Sequence, residues 1–388
     1  MSEIKVNSIK GVGATNAAIT VNNSDGTCTA NITNNLSNRN KVINGSMICS
    51  QRGTSFSPSA SDQIYTLDRY QHVATTGAAF DSTVTQDSSA PVGFSKSYKV
   101  TPDATNTPTG GGNACLRTRI EGQDIQDLAY GGSDAKKVTV SFYAKSASQN
   151  NGQQYTFQLR HFATDGTQRS INAPFTITSS FQRFTFSFVG DTANDIINTN
   201  ALGMELVWNL ASGPDDISSQ QTTWVTTNLF TCVTGQSNFL DNTSNEFYLT
   251  GVQLEVDHTG SGKPTDFEHR SFAQELSLSQ RYFTKTYNQD VYAGTATYVG
   301  AFTQRSSVST AAGHLTLELP VLMRVAPTVY FYGTTSATNA VGKIRGSGNG
   351  VITASLHASH SSRAIGLTYA PNQNYSAISG HYTAEAEL

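Results

Sequence analysis

The chain has 388 residues and a formal net charge of −3 at pH 7, so we expect neither nucleic-acid binding nor attraction to an anionic membrane. Charged residues make up only 14% of it, against a usual share of about 25%; Ser, Thr, Asn, Gln and Gly take their place and favour turns and strands over helices. The length is enough for about two or three domains, and no apolar stretch is long enough to cross a membrane as a helix.

The cysteines and the N-terminus indicate a reduced, metal-free protein. The four cysteines, Cys28, Cys49, Cys115 and Cys232, are scattered with no CxxC pair, and their spacing does not suit zinc ligands. The N-terminus lacks the charged-then-apolar pattern of a secretory signal, so we expect synthesis in a cytoplasm, where thiols stay reduced. We therefore predict buried free thiols, no metal site and no cofactor.

Residues 1–40 differ from the rest of the chain. A short apolar alternation around Ile4, Val6 and Ile9 gives way to a run rich in Asn, Thr and Ser from Val21 onward. Such a segment cannot bury enough apolar surface to fold alone. We predict that it becomes ordered against other copies of the chain or against a docking partner.

Residues 41–270 read as a succession of strands. Strict alternation of apolar and polar residues, the mark of a strand buried on one face, appears in 137–145, 155–161, 184–188 and 204–210. The stretch 247–256 is a further strand, with a bulge predicted at Gly251. Many short strands with few helical windows predict an all-β fold, and at this size a jelly-roll β-sandwich.

A helix and a smaller β unit follow. Ser271 with Gln274 forms a capping-box signature, and Phe272, Leu276 and Phe283 would share one face, so we predict a linker helix within residues 271–284. Strand-like stretches then recur at 315–320, 328–332, 351–356 and 364–369, between turns rich in Gly and Asn. We predict a second, smaller β-sandwich domain over residues 285–388.

Several stretches, taken together, carry a resemblance to a known family. They are 44–56 and 65–70 near the start of the sandwich, 250–256, 267–276 and 280–283 near its end, and 323–329 and 381–388 in the small domain. This combination resembles phage tail-fibre and receptor-binding proteins, in which a jelly roll similar to carbohydrate-binding modules is followed by a small C-terminal β domain. The resemblance covers roughly residues 41–388.

The resemblance implies a virion protein, usually assembled as a homotrimer, on the tail or capsid surface and made in the host cytoplasm. Residues 1–40 would then be a docking and trimerising segment that contacts other virion proteins. The expected partner of the outward domains is a host cell-surface glycan. The resemblance supplies no catalytic residue.

Four residues are glycan-binding candidates, because sugar binding needs an aromatic ring for the pyranose face and polar groups for the hydroxyls. Trp208 shares the parity of an apolar row, so core packing competes with ligand binding. Trp224 follows a polar loop, which leaves exposure and burial equally open. Tyr143 and Arg160 lie opposite the apolar rows of their strands; they would meet on a concave surface if those strands share a sheet, and otherwise lie on an ordinary solvated face.

We predict that the chain is not an enzyme. Glycan hydrolysis needs two carboxylates at a defined separation, and no acidic pair stands out in the sequence. Arg52 and Arg69 are expected to pair with acids, including Asp68 and Glu268, and so to lock the ends of the sandwich.

The predicted function is a receptor-binding virion subunit. One alternative is a purely structural capsid fibre, decoration or adaptor protein. A less favoured alternative is a polysaccharide depolymerase.

Overall fold

A computed structural model of the chain describes residues 6–13, 17–22, 24, 28–30, 38–227, 229–258, 260–305, 313–335, 341–347, 350–370 and 377–388. These residues are nearly all in strands and turns. The strands are, in chain order, β1 (Ser8–Ile9), β2 (Ile19–Val21), β3 (Cys28–Ala30), β4 (Ser55–Phe56), β5 (Gln63–Tyr65), β6 (Tyr70–Ala74), β7 (Ser82–Asp87), β8 (Ser97–Pro102), β9 (Asn113–Glu121), β10 (Val138–Ser146), β11 (Gln154–Phe162), β12 (Gln168–Thr176), β13 (Gln182–Phe188), β14 (Leu202–Ser212), β15 (Ile217–Ser218), β16 (Val225–Thr226), β17 (Cys232–Val233), β18 (Phe247–Val256), β19 (Phe283–Lys285), β20 (Phe302–Arg305), β21 (Gly313–Glu318), β22 (Thr328–Tyr332), β23 (Lys343–Gly346), β24 (Gly350–Leu356), β25 (Ala364–Ala370) and β26 (Ala377–Glu385).

The helical segments are few and short. An α-helix, α1, spans Phe272–Gln280, and 3-10 helices span Gly122–Leu128, Pro214–Asp216 and Phe239–Asp241.

In the N-terminal segment, β1, β2 and β3 form a three-stranded antiparallel sheet. Much of the predicted docking segment 1–40 lies outside the described residues.

The first large unit is a sandwich of two antiparallel sheets. One has the strand order β13-β10-β18-β8-β7-β4, and the other has the order β16-β12-β11-β14-β9-β6-β5. The apolar rows of the alternating strands face each other, and the rings of Phe142, Phe157 and Trp208 pack at centroid distances of 5.4 to 5.6 Å. Each such fully buried side chain stabilises the fold by roughly 1.5–3 kcal/mol. The predicted all-β sandwich fold is confirmed.

The predicted bulge in β18 is present. Ser141 of β10 pairs with Gln253, but Tyr143 pairs with Thr250, so β18 holds one residue more than its partner strand over this interval. Gly251 has φ +62°, and a Cβ atom there would lie 2.8 Å from the rings of Phe94 and Tyr143. Glycine is needed at this position for both reasons.

The predicted cap of the helix is present, but its predicted apolar face is wrong. The Ser271 hydroxyl accepts a hydrogen bond from the Gln274 amide at 3.3 Å. Phe272, however, is 48% exposed, and the buried residues of α1 are Glu275 and Ser279. The Glu275 carboxylate accepts the backbone amide of Asn44, because α1 packs on polar groups of the sandwich rather than on its apolar core.

The second β unit is organised around β26. The first half of this strand pairs with β20 and β23, and its second half pairs with β19 and β22. A separate apolar cluster, which includes Ile344, Leu367 and Ile378, lies on this sheet. β19 begins at Phe283, so the end of the predicted linker 271–284 already belongs to the C-terminal sheet. The division at residues 41–270 and 285–388 stays a prediction.

A buried ion-pair network joins the two units. Arg52 Nη2 lies 3.0 Å from Glu385 Oε1 and 3.1 Å from Glu387 Oε1, and its Nη1 lies 3.8 Å from Asp68. Arg69 pairs with the other oxygen of Glu387, and its guanidinium lies 3.4 Å from the ring centre of Tyr282. The predicted pairing of Arg52 with Asp68 is confirmed, whereas Arg69 pairs with Glu387 of the C-terminal unit.

The network predicts a large cost for removing Arg69, whose side chain is 1% exposed. The substitution Arg69→Met leaves Glu387 short of one partner in a buried site, so we expect the free energy of unfolding to fall by about 3–5 kcal/mol. Arg363→Met, at an exposed side chain, is the matched control and should change it by less than about 0.5 kcal/mol. Urea unfolding measures both; equal stability of the two variants would contradict the network's role.

Candidate functional site

The two tryptophans are buried, so neither offers a free ring face. Trp208 is fully buried between the two sheets. Trp224 is 7% exposed; its Nε1 donates a hydrogen bond to the Val189 carbonyl at 2.7 Å, and its ring packs edge-on against His161 and Tyr130. A sugar cannot stack on either ring in this arrangement.

The structure does not bring Tyr143 and Arg160 together. Tyr143 lies on β10 in the six-stranded sheet and Arg160 on β11 in the seven-stranded sheet, so the two strands do not share the sheet that a common concave surface would require. Tyr143 is half-buried beside Phe94, at a ring distance of 5.4 Å. Arg160 is 4% exposed and pairs with Glu205 at 2.7 Å.

A cleft of about 260 Å³ lies where β12 approaches β13 at one edge of the sandwich. We call it the edge cleft. Three short segments of the chain contribute its walls: 171–173 from β12, 185–188 from β13, and 220–222 from the loop that follows β15. Its lining combines two phenyl rings with side-chain amides and hydroxyls: Phe186, Phe188, Asn172, Gln220, Gln221, Thr185, Ser187 and Thr222.

Hydrogen bonds hold the amide wall of the edge cleft in place. Asn172 Oδ1 accepts a hydrogen bond from the backbone N–H of Gln221 at 2.8 Å. Gln220 Nε2 donates to the backbone carbonyl of Asn172 at 3.4 Å. Gln221 Oε1 accepts the hydroxyls of Ser170 and Thr231 at 2.8 and 3.3 Å. These bonds leave Gln221 Nε2 and Gln220 Oε1 unused, a donor and an acceptor suited to sugar hydroxyls.

The outer surface of the seven-stranded sheet carries a second polar cluster, which we call the arginine face: Arg117, Arg119, Arg160 and Glu205. The three guanidiniums converge on one carboxylate, at 3.3, 2.8 and 2.7 Å respectively. They come from neighbouring strands, because β14, which bears Glu205, lies between β9 and β11. The outward parity of alternating strands places all four on the same side of the sheet.

The charges of the arginine face perturb one another. Burial raises the pKa of the Glu205 carboxyl. Arg117, Arg160 and Arg119 together lower it by more than burial raises it, so the pKa lies below its ordinary value. Burial lowers the pKa of the Arg117 guanidinium; Glu205 raises it and Arg119 lowers it, and it remains below its ordinary value. Burial also lowers the pKa of the Arg119 guanidinium, but Glu205 and Tyr65 together raise it by more, so it lies above its ordinary value.

Other sequence predictions concern metal and membrane. Among the residues that the structure describes, no group of three or more His, Cys, Asp or Glu side chains is placed to hold a metal ion. Cys49, Cys115 and Cys232 are buried free thiols, as predicted, and burial raises the pKa of Cys115 and of Cys232 to about 12. Within the described ranges, no helix is long and apolar enough to span a bilayer.

Sequence reasoning singled out Arg160 of the arginine face but missed the rest of that cluster and the whole edge cleft. Arg117 and Arg119 stand two residues apart within an alternating strand, a pattern that places both on one face and could have been noticed. The edge cleft gives no such signal, because its walls come from three separate segments. Gln220 and Gln221 belong to a polar loop whose position only the folded chain reveals.

Comparisons with known proteins give low overall similarity. No protein-family model matches the chain, and no curated protein matches it. The enzymatically active domain of bacteriophage CBA120 tailspike protein 4 is 15% identical over 56% of this chain, with a TM-score of 0.31. A putative sugar binding protein from Bacteroides thetaiotaomicron VPI-5482 is 11% identical over 56% of this chain and 100% of its own, with a TM-score of 0.33.

The family 11 carbohydrate-binding module of Clostridium thermocellum Lic26A-Cel5E is 12% identical over 53% of this chain and 95% of its own, with a TM-score of 0.27. This chain spans only 21% of the length of the tailspike structure. The neighbours are thus carbohydrate-binding modules and a phage tailspike domain at low identity, and the geometry of the two polar clusters is what bears on function.

Proposed function

We propose that this chain is a glycan-binding subunit of a bacteriophage virion, a tail fibre or receptor-binding protein that attaches to a host surface glycan through its β-sandwich. The observation that carries the proposal is the edge cleft. It sets the half-buried ring of Phe186 beside fixed amides and exposed hydroxyls, the combination that recognition of a sugar ring and its hydroxyls requires.

The size and rigidity of the edge cleft favour weak, specific binding. Its volume of about 260 Å³ lies just below the roughly 300–1,000 Å³ of pockets for drug-sized ligands, so it suits one sugar ring of a longer glycan. The hydrogen bonds of Gln221 with Ser170 and Thr231 fix its amide before binding, which lowers the entropy lost when a ligand is held.

Weak single sites are consistent with the proposed homotrimer, because three linked sites multiply a modest affinity through avidity. The N-terminal segment supports association, because its few apolar side chains are exposed. Val6, Ile9 and Val12 are 45%, 53% and 111% exposed. Contact with other copies or with virion proteins would cover them.

We propose binding without catalysis. The described residues that line the edge cleft include no Asp or Glu, whereas glycoside hydrolysis commonly uses a carboxylate pair across the scissile bond. Release of reducing ends from a bound polysaccharide would favour the depolymerase alternative instead. The purely structural alternative predicts no glycan binding at all.

The edge cleft is tested by removing its exposed polar groups. The double variant Gln220→Ala, Thr222→Ala should bind the best ligand from an array of bacterial surface oligosaccharides at least about tenfold more weakly, a loss of about 1.4 kcal/mol. Thr176→Ala, Gln182→Ala is the matched control, since both residues are exposed on β12 and β13 outside the cleft. Titration calorimetry measures both; unchanged affinity of the first variant would refute the cleft assignment.

The virion role predicts that residues 1–40 are needed for docking. A chain that starts at residue 38 keeps the buried Asn40 and its bonds to the main chain of Val252 and Leu254. It should stay folded and keep its glycan affinity, because its sandwich has its own apolar core. It should no longer be incorporated into particles or form trimers in light scattering. Normal occupancy on particles would make the C-terminal unit the leading anchor instead.

A further inference from the structure

A second cavity, of about 250 Å³, lies at one end of the seven-stranded sheet, and we call it the end pocket. The end of β9, the start of β14 and the end of β11 lie side by side here, because these strands are antiparallel neighbours. Residues that leave or enter the three strands line the cavity: they lie within 125–130 after β9, at 164 after β11, and within 195–198 before β14. None of the described residues lines both the end pocket and the edge cleft.

The end pocket has a polar rim and an apolar floor. Its rim consists of four exposed polar side chains: Gln126, Thr164, Asp195 and Asn198. Below them, the buried side chains of Ile125 and Ile196 close the floor, and the half-buried Ala129 lines the cavity with a methyl group. Such a cavity can hold the C–H face of a ring against its floor and the polar substituents of that ring against its rim.

Main-chain contacts hold the wall that carries Asp195 in place. The Thr164 N–H donates to the Asp195 carbonyl at 3.3 Å, and Ala163 forms a β-bridge with Ile196. A Cβ atom at Gly131 would lie 2.7 Å from the Asp195 main-chain nitrogen, and Gly131 has φ +98°, so this close approach needs glycine. The pocket is therefore formed before a ligand arrives, which lowers the entropy lost on binding.

The rim presents more unused acceptors than donors. The Thr164 hydroxyl donates to Asp195 Oδ2 at 3.0 Å, and Gln126 Nε2 donates to main-chain carbonyls at 2.8 and 3.2 Å. Within the part of the chain that the structure describes, Asp195 Oδ1, Gln126 Oε1 and the Asn198 side-chain amide take part in no hydrogen bond. The two oxygens can only accept, whereas Asn198 Nδ2 can donate, so a ligand rich in O–H donors fits the rim.

We propose that the end pocket is a second saccharide site, separate from the edge cleft, and that it takes a sugar ring with two adjacent free hydroxyls. One hydroxyl donates to Asp195 Oδ1 and its neighbour to Gln126 Oε1, while Asn198 Nδ2 donates to one of the two hydroxyl oxygens. The bond to Asp195 is the strongest of these, because a carboxylate is a charged acceptor. The saccharide class rests on the glycan-binding function proposed above, whereas the cavity and its unused polar groups do not.

The test starts from the full chain with Gln220→Ala and Thr222→Ala, which we call the cleft-disabled chain, on an array of bacterial surface oligosaccharides. We expect it to keep at least one ligand that carries an unsubstituted vicinal diol. Adding Asp195→Ala should weaken that ligand about tenfold or more in titration calorimetry, and adding Asn198→Ala should weaken it as well. Asp134→Ala, which removes an exposed carboxylate outside the pocket, is the matched control and should leave the affinity unchanged. A cleft-disabled chain that binds nothing, or an affinity that Asp195→Ala leaves unchanged, would overturn the proposal.

The hydroxyls of the ligand test the chemistry of the site. Monodeoxy analogues that lack either hydroxyl of the diol should bind the cleft-disabled chain about tenfold more weakly, because one rim group then loses its partner. Analogues that bind as tightly as the ligand itself would refute the diol assignment. Binding confined to amino sugars, and lost as NaCl rises from about 50 to about 300 mM, would indicate a site for an ammonium group and would also overturn the proposal.

The two glycan proposals fail separately in these experiments. If the wild-type chain binds the array and the cleft-disabled chain does not, the edge cleft stands and the end-pocket proposal is wrong. If Asp195→Ala in the wild-type chain removes all binding while the cleft-disabled chain binds normally, the edge-cleft proposal is wrong and the end pocket stands.

Discussion

The ion pairs of Arg52 and Arg69 with Glu385 and Glu387 determine how the two β units of this protein meet. Both guanidiniums are buried or nearly so, and burying them is tolerable only because several carboxylates compensate their charge. Arg69 also adopts φ +71°, a left-handed conformation that is uncommon for a residue other than glycine. Its Nη2 donates to the Arg119 carbonyl at 2.6 Å, so the junction is tied to the strand that carries the arginine face.

This junction occupies one edge of the seven-stranded sheet, and the edge cleft lies away from it. The last residues of the chain lie against the β5 and β9 end of the seven-stranded sheet, where the Leu388 oxygen accepts the Tyr65 hydroxyl at 2.9 Å and a bond from Arg119. The edge cleft lies near the opposite edge of that sheet, at β12. The segment from β15 to β17 connects the two polar clusters, since it supplies Gln220 and Gln221 to the cleft and Phe230 to the arginine face.

Local patterns in the sequence predicted the secondary structure well, because alternation and turn chemistry act over a few residues. The strand rows, the bulge at Gly251 and the Ser271 cap follow from such patterns. The exposure of Phe272 could not be predicted, since the helix packs by the polar contact between Glu275 and Asn44. Tyr143 and Arg160 could not be placed either, because strand order is set by long-range pairing: β10 joins β13 and β18, whereas β11 joins β12 and β14. The edge cleft depends in the same way on three segments that are distant in sequence.

A crystal structure of the full chain with a neutral oligosaccharide selected by array binding tests glycan recognition by the edge cleft most directly. The cleft proposal predicts one sugar ring between Phe186 and the amides of Gln220 and Gln221, with hydrogen bonds to Gln221 Nε2 and Gln220 Oε1. A bound sugar on any other surface of the sandwich, with the edge cleft holding only water, would contradict it.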